Sequence, residues 1–222
     1  METRTNFHNH LKELQTDIIS MSNSVGTAIE ESIEALKGRD LHLAQRLIDQ
    51  DALINAKRFE ITEKCISLMA TQQPVAEDLR ILMSSILITV ELERIGDYAE
   101  GISRIVILND KDASLKPLLD LPRMAQRILE MLQESMKAFA DYDAQAAITV
   151  CKKDDEIDQL YNQVFNELLL MMVEDPRIIT KATRLIWVAH NLERSADRVT
   201  NICEQIAYIA SGIMEEIGAS KY

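Results

Sequence analysis

The segment LERIGDYAEGI at Leu92–Ile102 returns 100 residues later as LERSADRVTNI at Leu192–Ile202. A shorter motif recurs upstream of each copy, DALIN at Asp51–Asn55 and DDEID at Asp154–Asp158, 103 residues apart. Pro74 and Pro176 punctuate the two copies at a spacing of 102. Loss of three residues between the second and third helix of a copy reconciles these offsets. A period near 100 is too long for a solenoid, whose repeats span roughly 20–50 residues. The chain therefore reads as one supersecondary unit written twice, and any fold it adopts must accommodate both copies.

Chain breakers decide what that unit is. The 222 residues hold 6 Gly and 4 Pro, below the usual usage of about 7% and 5%, and strand-rich folds need more turn chemistry than that. A first helical stretch runs from about Phe7 to Lys37 and stops at Gly38; Asp40 then supplies an N-cap for a second, to about Ala70. The turn ending at Pro74 opens a third stretch, Val75 to Leu108, and the polar segment Asn109–Pro117 links the copies. A fourth stretch runs from near Pro122 to Phe139, and a fifth from Asp141 or Asp143 to Val173; a sixth follows Pro176 to about Ile217. The expectation is all-α: two tandem, internally duplicated three-helix bundles with six long helices, one bundle in residues 1–112 and the other in 113–222. At about 1.5 Å per residue, the long helices would reach roughly 45–50 Å.

Charge and composition narrow the function. With 24 basic against 36 acidic residues the net charge is −12, the wrong sign for gripping nucleic acid phosphates. The uncharged stretch from Ile81 to Val90 is ten residues, short of the ~18 a membrane span needs, and the amino terminus lacks the apolar stretch of a signal peptide. Cys65, Cys151 and Cys203 are odd in number and widely spaced, which suits neither a disulfide framework nor a zinc motif. A cytoplasmic protein is expected.

The chemistry lies on the helix faces. On the third helix one apolar stripe is Ile81, Ile88, Leu92, Ile95, Ala99, Ile102 and Val106. A second begins Leu79, Met83, Ile86, Val90 and then turns acidic at the same spacing with Glu93, Asp97 and Glu100. The sixth helix repeats this: Ala182, Ile186 and Ala189 lead into Glu193, Asp197 and Glu204. On the second and fifth helices, Asp51 with Asn55 and Asp154 with Asp158 interrupt similar stripes. Carboxylates at i and i+4 lie about 5–6 Å apart and repel, strongly so when desolvated. Antiparallel packing would face Asp51 and Asn55 toward Glu93 and Asp97, and Asp154 and Asp158 toward Glu193 and Asp197. Such oxygen sets suit hard cations such as iron(III), manganese, magnesium or calcium rather than thiolate- or imidazole-loving metals. The expectation is one metal site per half, the first weaker because Asn55 replaces a carboxylate. The alternative is an acid–arginine network, since Arg80, Arg94, Arg104, Arg184 and Arg194 share these helices.

Other residues point away from catalysis. No histidine completes the Glu-x-x-His pair of di-iron bundles, and no Gly-rich phosphate loop, nucleophile elbow or Ser/His/Asp arrangement occurs. His190 is expected as a hydrogen-bonded core residue, Cys151 as a packed one, and Trp187 as a buried anchor between helices. The chain reads as a helical adaptor without catalytic residues; the competing reading is a metal-dependent carboxylate-cluster enzyme, a phosphoester hydrolase or ferroxidase. Long apolar faces make a homodimer plausible.

The paired LERIGD and LERSAD motifs, each late in a long apolar helix of an acidic helical chain, resemble the PhoU family of phosphate-specific transport regulators over nearly the whole length. That resemblance implies two related three-helix bundles side by side and paired Glu/Asp-x-x-x-Asp signatures able to hold metal clusters, iron or zinc among them. Glu93 with Asp97, Glu193 with Asp197, and Asp154 with Asp158 match the signature; Asp51 matches without Asn55. Asn201 and Glu204 match the residues that often follow it, whereas Gly101 and Arg104 depart from them. The resemblance further implies a negative regulator of phosphate uptake and phosphate-starvation signalling. It would act between the phosphate ABC transporter and a sensor histidine kinase, meeting the membrane only through protein partners.

Overall fold

Both copies of the unit turn their first corner in the same way. Arg39 and Tyr142 adopt left-handed backbone, φ 52° and 51°. The next residue's N–H then folds back onto the preceding helix: Asp40 donates to the Ala35 carbonyl at 3.0 Å, and Asp143 to that of Ala138 at 2.9 Å. Each aspartate also starts the following helix. Asp40 accepts from the Leu43 N–H and Asp143 from the N–H groups of Gln145 and Ala146. One residue thus completes the stop signal of one helix and gives the start signal of the next.

The computed structural model describes residues 2–109, 120–215 and 217. Its helices, in chain order, are α1 (Glu2–Gly38), α2 (Leu41–Gln72), α3 (Glu77–Leu108), α4 (Asp120–Asp141), α5 (Ala144–Cys151), α6 (Asp154–Glu174) and α7 (Ile179–Ser211). A 3-10 turn at Pro176–Ile178, capped by Asp175, leads into α7. No strand occurs among the described residues. The expected Asn109–Pro117 linker lies, but for Asn109, outside them, as does the boundary at 112.

Two boundaries differ from expectation. The fifth stretch is not continuous: Lys152 and Lys153 break it into α5 and α6, so Asp154 stands in the first turn of a new helix. The sixth ends at Ser211, where Gly212 takes φ 73° and closes the helix onto the Tyr208 carbonyl. The sequence signal for each was a single residue or none, and periodicity ran through both.

α3 and α7 form the centre. α1 and α2 pack on α3; α4, α5 and α6 pack on α7; α3 and α7 pack on each other, as do α1 and α4. Arg80 reaches the Ile209 carbonyl, Ser84 the Gln205 side chain, Glu91 both Arg198 and Asn201, and Arg184 the Leu108 carbonyl. Low numbers pair with high ones in reverse order, so the two helices run antiparallel. One continuous apolar core joins residues of both halves, with Ile88, Leu92, Ile95, Val188, Leu192 and Val199 fully enclosed. The apolar stripe expected on α3 from Ile81 to Val106 is buried throughout.

Candidate metal-binding strips

On the first half, α2 and α3 carry the acidic residues to one strip. Gly96 allows the approach, since a Cβ there would stand 3.2 Å from the Ile54 side chain and 3.5 Å from Asp51 Oδ1. Asp51 Oδ2 accepts from the Asn55 amide at 2.8 Å, while the buried Oδ1 has no hydrogen bond. Burial, followed by the charges of Glu100 and Glu93, raises the Asp51 carboxyl above its ordinary value. Asp97 lies at the open rim, yet desolvation and then Glu93, Asp51 and Glu100 push it up to about 6. Two arginines offset part of this repulsion: Arg58 stands 3.6 Å from Glu93, and Arg104 binds Glu100.

The second half brings four carboxylates together, those of Asp154, Asp158, Glu193 and Asp197. Asp154 is pushed up to about 7, by burial first and then by Asp158, Asp197, Glu193 and Asp155. A helix N-terminus ordinarily favours a carboxylate anion, so burial and repulsion outweigh the dipole at the start of α6. Asp158 is raised likewise, by burial and then Asp197 and Asp155. Glu193 is only 5% exposed and lies 3.4 Å from His190 Nδ1. Arg194 pairs with Asp197 at 2.8 Å. Tyr161 stands where Arg58 stands in the first copy.

The helices thus bring Asp51, Glu93 and Asp97 into one field, and Asp154, Asp158, Glu193 and Asp197 into another. They do not close either set into a cage: among the described residues no three His, Cys, Asp or Glu side chains gather as metal ligands. The donor type fits a hard cation, and the orphaned Asp51 Oδ1 and raised carboxyls show where positive charge is wanted. The side chains would have to converge on an ion.

Several expectations are corrected. Trp187 is 61% exposed rather than a buried anchor, although it stands level with the last turns of α3, beside Ile105 and Leu108. His190 is exposed rather than in the core, and its ring lies beside Tyr161. Leu79 and Met83, read as a core stripe, are exposed; only its continuation near Ile86 packs. Cys151 is buried as expected. Sequence reasoning missed the Arg58 ion pair, although Arg58 sits two turns after Asp51 on the same stripe.

This geometry has close counterparts. The PhoU domain family matches the chain twice, over residues 18–106 and 121–206. The chain belongs to the PhoU family. It is 35% identical to the phosphate-specific transport system accessory protein PhoU homolog of Clostridium acetobutylicum over 211 residues, covering 95% of this chain and 96% of that one. It is 32% identical to the accessory protein PhoU of Escherichia coli, covering 93% and 86%. The crystal structure of the phosphate transport system regulatory protein PhoU from Streptococcus pneumoniae superposes with a TM-score of 0.87 at 29% identity, over 94% of this chain and 99% of that one. PhoU from Pseudomonas aeruginosa does so at 0.87 and 32%, over 93% and 100%. Each PhoU domain of this chain contains one of the two acidic strips, and the second match begins at Leu121, after the segment outside the described residues. No described helix is long and apolar enough to cross a membrane.

Proposed function

We propose that this protein is a regulatory accessory component of a phosphate-specific transport system. In this reading it is a cytoplasmic negative regulator of phosphate uptake and phosphate-starvation signalling, docking on the phosphate ABC transporter and on a sensor histidine kinase. The observation that carries the reading is full-length membership of a family whose compared members are named accessory or regulatory proteins of phosphate transport. An adaptor also suits the physical character of the chain: long helices, exposed charge and, among the described residues, no assembled nucleophile, base and orienting group.

In the same reading the carboxylate strips hold metal ions that act structurally or as regulators. Asp154, Asp158, Glu193 and Asp197 would hold an ion in the second half, and Asp51, Glu93 and Asp97 in the first. Iron, manganese, magnesium and zinc are the candidates. A bound cation supplies positive charge to groups that otherwise repel one another in a partly desolvated place. Arg58 and Asn55 already supply part of this in the first half, so the second is the tighter site.

Deleting the gene should abolish repression of phosphate-responsive genes in phosphate-rich medium, and unchanged repression would refute the regulatory reading. Elemental analysis of untagged protein should find metal that falls in the Glu193→Ala, Asp197→Ala double variant. Metal-free protein after purification with manganese, iron or zinc present would refute the metal reading alone.

A further inference from the structure

Cys151 and Cys203 stand 52 residues apart in the chain, yet the packing of α5 on α7 brings them together. Cys151 ends α5, and its Sγ lies 3.9 Å from the Thr200 carbonyl, one turn before Cys203 on α7. The two side chains hydrogen-bond to each other. Both are free thiols, Cys151 at 6% exposure and Cys203 at 0%. The repeat shows that the fold itself does not ask for sulfur here. By the offsets of 103 and 100, the first copy carries Ile48 and Ser103 at these positions, and Ser103 is buried with its hydroxyl on the Ala99 carbonyl.

The pair is asymmetric in the manner of a nucleophile and its partner. Cys203 keeps its proton, because the bond to Cys151 and then burial hold it well above its ordinary value. It donates that proton to Cys151, which is lowered in spite of burial, so negative charge is favoured on Cys151. Cys151 is also the one with a way out. It precedes the exposed Lys152 at the break between α5 and α6, and helix ends open at less cost than enclosed helix middles. Cys65 supplies the contrast within the same chain: it is buried on α2, and desolvation pushes its thiol up to about 12.

We propose that Cys151 and Cys203 form a site of reversible oxidation by hydrogen peroxide, a small neutral oxidant able to enter a nearly closed place. The Cys151 thiolate attacks one peroxide oxygen; the O–O bond breaks, hydroxide leaves, and Cys151 becomes a sulfenic acid. The Cys203 sulfur then attacks the Cys151 sulfur, the S–O bond breaks, and the Cys203 proton leaves with the departing oxygen as water. The first hydroxide takes up the proton that Cys151 gave up on ionising. Two thiols thus lose two electrons, peroxide gains them, and a disulfide and two waters result. The bond fastens the end of α5 to α7 one turn before Asp154, at the break from which α6 starts. This site depends neither on metal nor on the phosphate-regulatory reading.

Reduced, chelator-treated full-length protein is exposed to hydrogen peroxide, denatured, and its thiols titrated. The count should fall from three to one in a chain that stays monomeric through non-reducing electrophoresis. The mass should drop by two hydrogen atoms, peptide mapping should join the fragments holding Cys151 and Cys203, and dithiothreitol should restore all three thiols. Before oxidation, iodoacetamide should modify Cys151 about tenfold or more faster than Cys65. Cys203→Ser, which copies the buried Ser103 of the first half, should stop at a sulfenic acid on Cys151 that dimedone captures; Cys65→Ser should still lose two thiols. Circular dichroism should match the parent for both variants. Three thiols surviving peroxide, equal alkylation of Cys65 and Cys151, a disulfide between chains, or a Cys151 that passes to sulfinic acid in the parent protein would each overturn the proposal.

Discussion

The left-handed corner after α1 is held by the wrong residue. Gly38 is the last helical residue, and Arg39 takes the positive φ. A side chain there is disfavoured, whereas glycine is at home, and nothing lies within 4 Å of a Cβ built on Gly38. Arg39→Gly should therefore stabilise the protein by about 0.5–1 kcal/mol, and Gly38→Ala by a similar amount. Urea denaturation with an unchanged m value checks both. Asp154 carries the pH dependence at this scale. Its carboxyl titrates near the ordinary 3.8 when unfolded and near about 7 when folded. Between these values the folded state holds the extra proton, so its contribution to stability falls as pH rises through the window and is level above it. Asp154→Asn removes that loss: metal-free variant should melt higher than the parent at neutral pH, and the difference should vanish near the lower limit. A constant difference across the window would contradict the assignment. Bound manganese should shrink the gain, since a cation removes the repulsion that the substitution relieves.

Between elements, the approach of α2 to α3 turns on Gly96. A Cβ there would stand 3.2 and 3.3 Å from the two methyl carbons of Ile54 and 3.5 Å from Asp51 Oδ1. Gly96→Leu should cost about 1–3 kcal/mol by forcing the helices apart, and should lower the Asp51 and Asp97 carboxyl pKa values as water enters. Gly101 makes a useful contrast. Its Cβ would meet only the end of the Asn191 side chain, the amide nitrogen at 2.9 Å and the amide carbon at 3.8 Å, a group that can swing aside. Gly101→Ala should therefore be close to neutral by the same denaturation measurement. The break between α5 and α6 belongs to this scale too. Lys153, just before Asp154, reaches α4 and binds Glu134 at 2.6 and 2.7 Å, fixing where the second acidic strip begins.

At the scale of the molecule, the two PhoU domains share one core across α3 and α7. Removing either half would expose a helix whose inner residues are wholly enclosed, including Leu92 and Ile95 on α3. Calorimetry of the full chain should therefore give a single cooperative transition. Residues 1–109 alone should lack a sharp melt and should bind hydrophobic dyes. Two resolved transitions, or a cooperative isolated half, would show that the halves are separable.

The sequence by itself determined the helical class, the repetition and the Asp40 cap, because Gly, Pro and Asp act locally and a 3.6-residue period needs no partner to be legible; the left-handed Arg39 and Tyr142 and the break at Lys152 and Lys153 carried no such signal. It also placed the acidic residues late in the stripes of α3 and α7. Only the tertiary structure decided which faces those stripes meet. Leu79, Met83 and Trp187 share the periodicity of buried residues, yet they are exposed: α3 and α7 pair from Arg80 and Ile209 at one end to Leu108 and Arg184 at the other, and these three side chains lie off that contact. The Arg58–Glu93 pair and the enclosure of Glu193 likewise come from residues far apart in the chain. Periodicity tells which residues share a face; burial and charge pairing depend on what another helix, distant in sequence, brings against it.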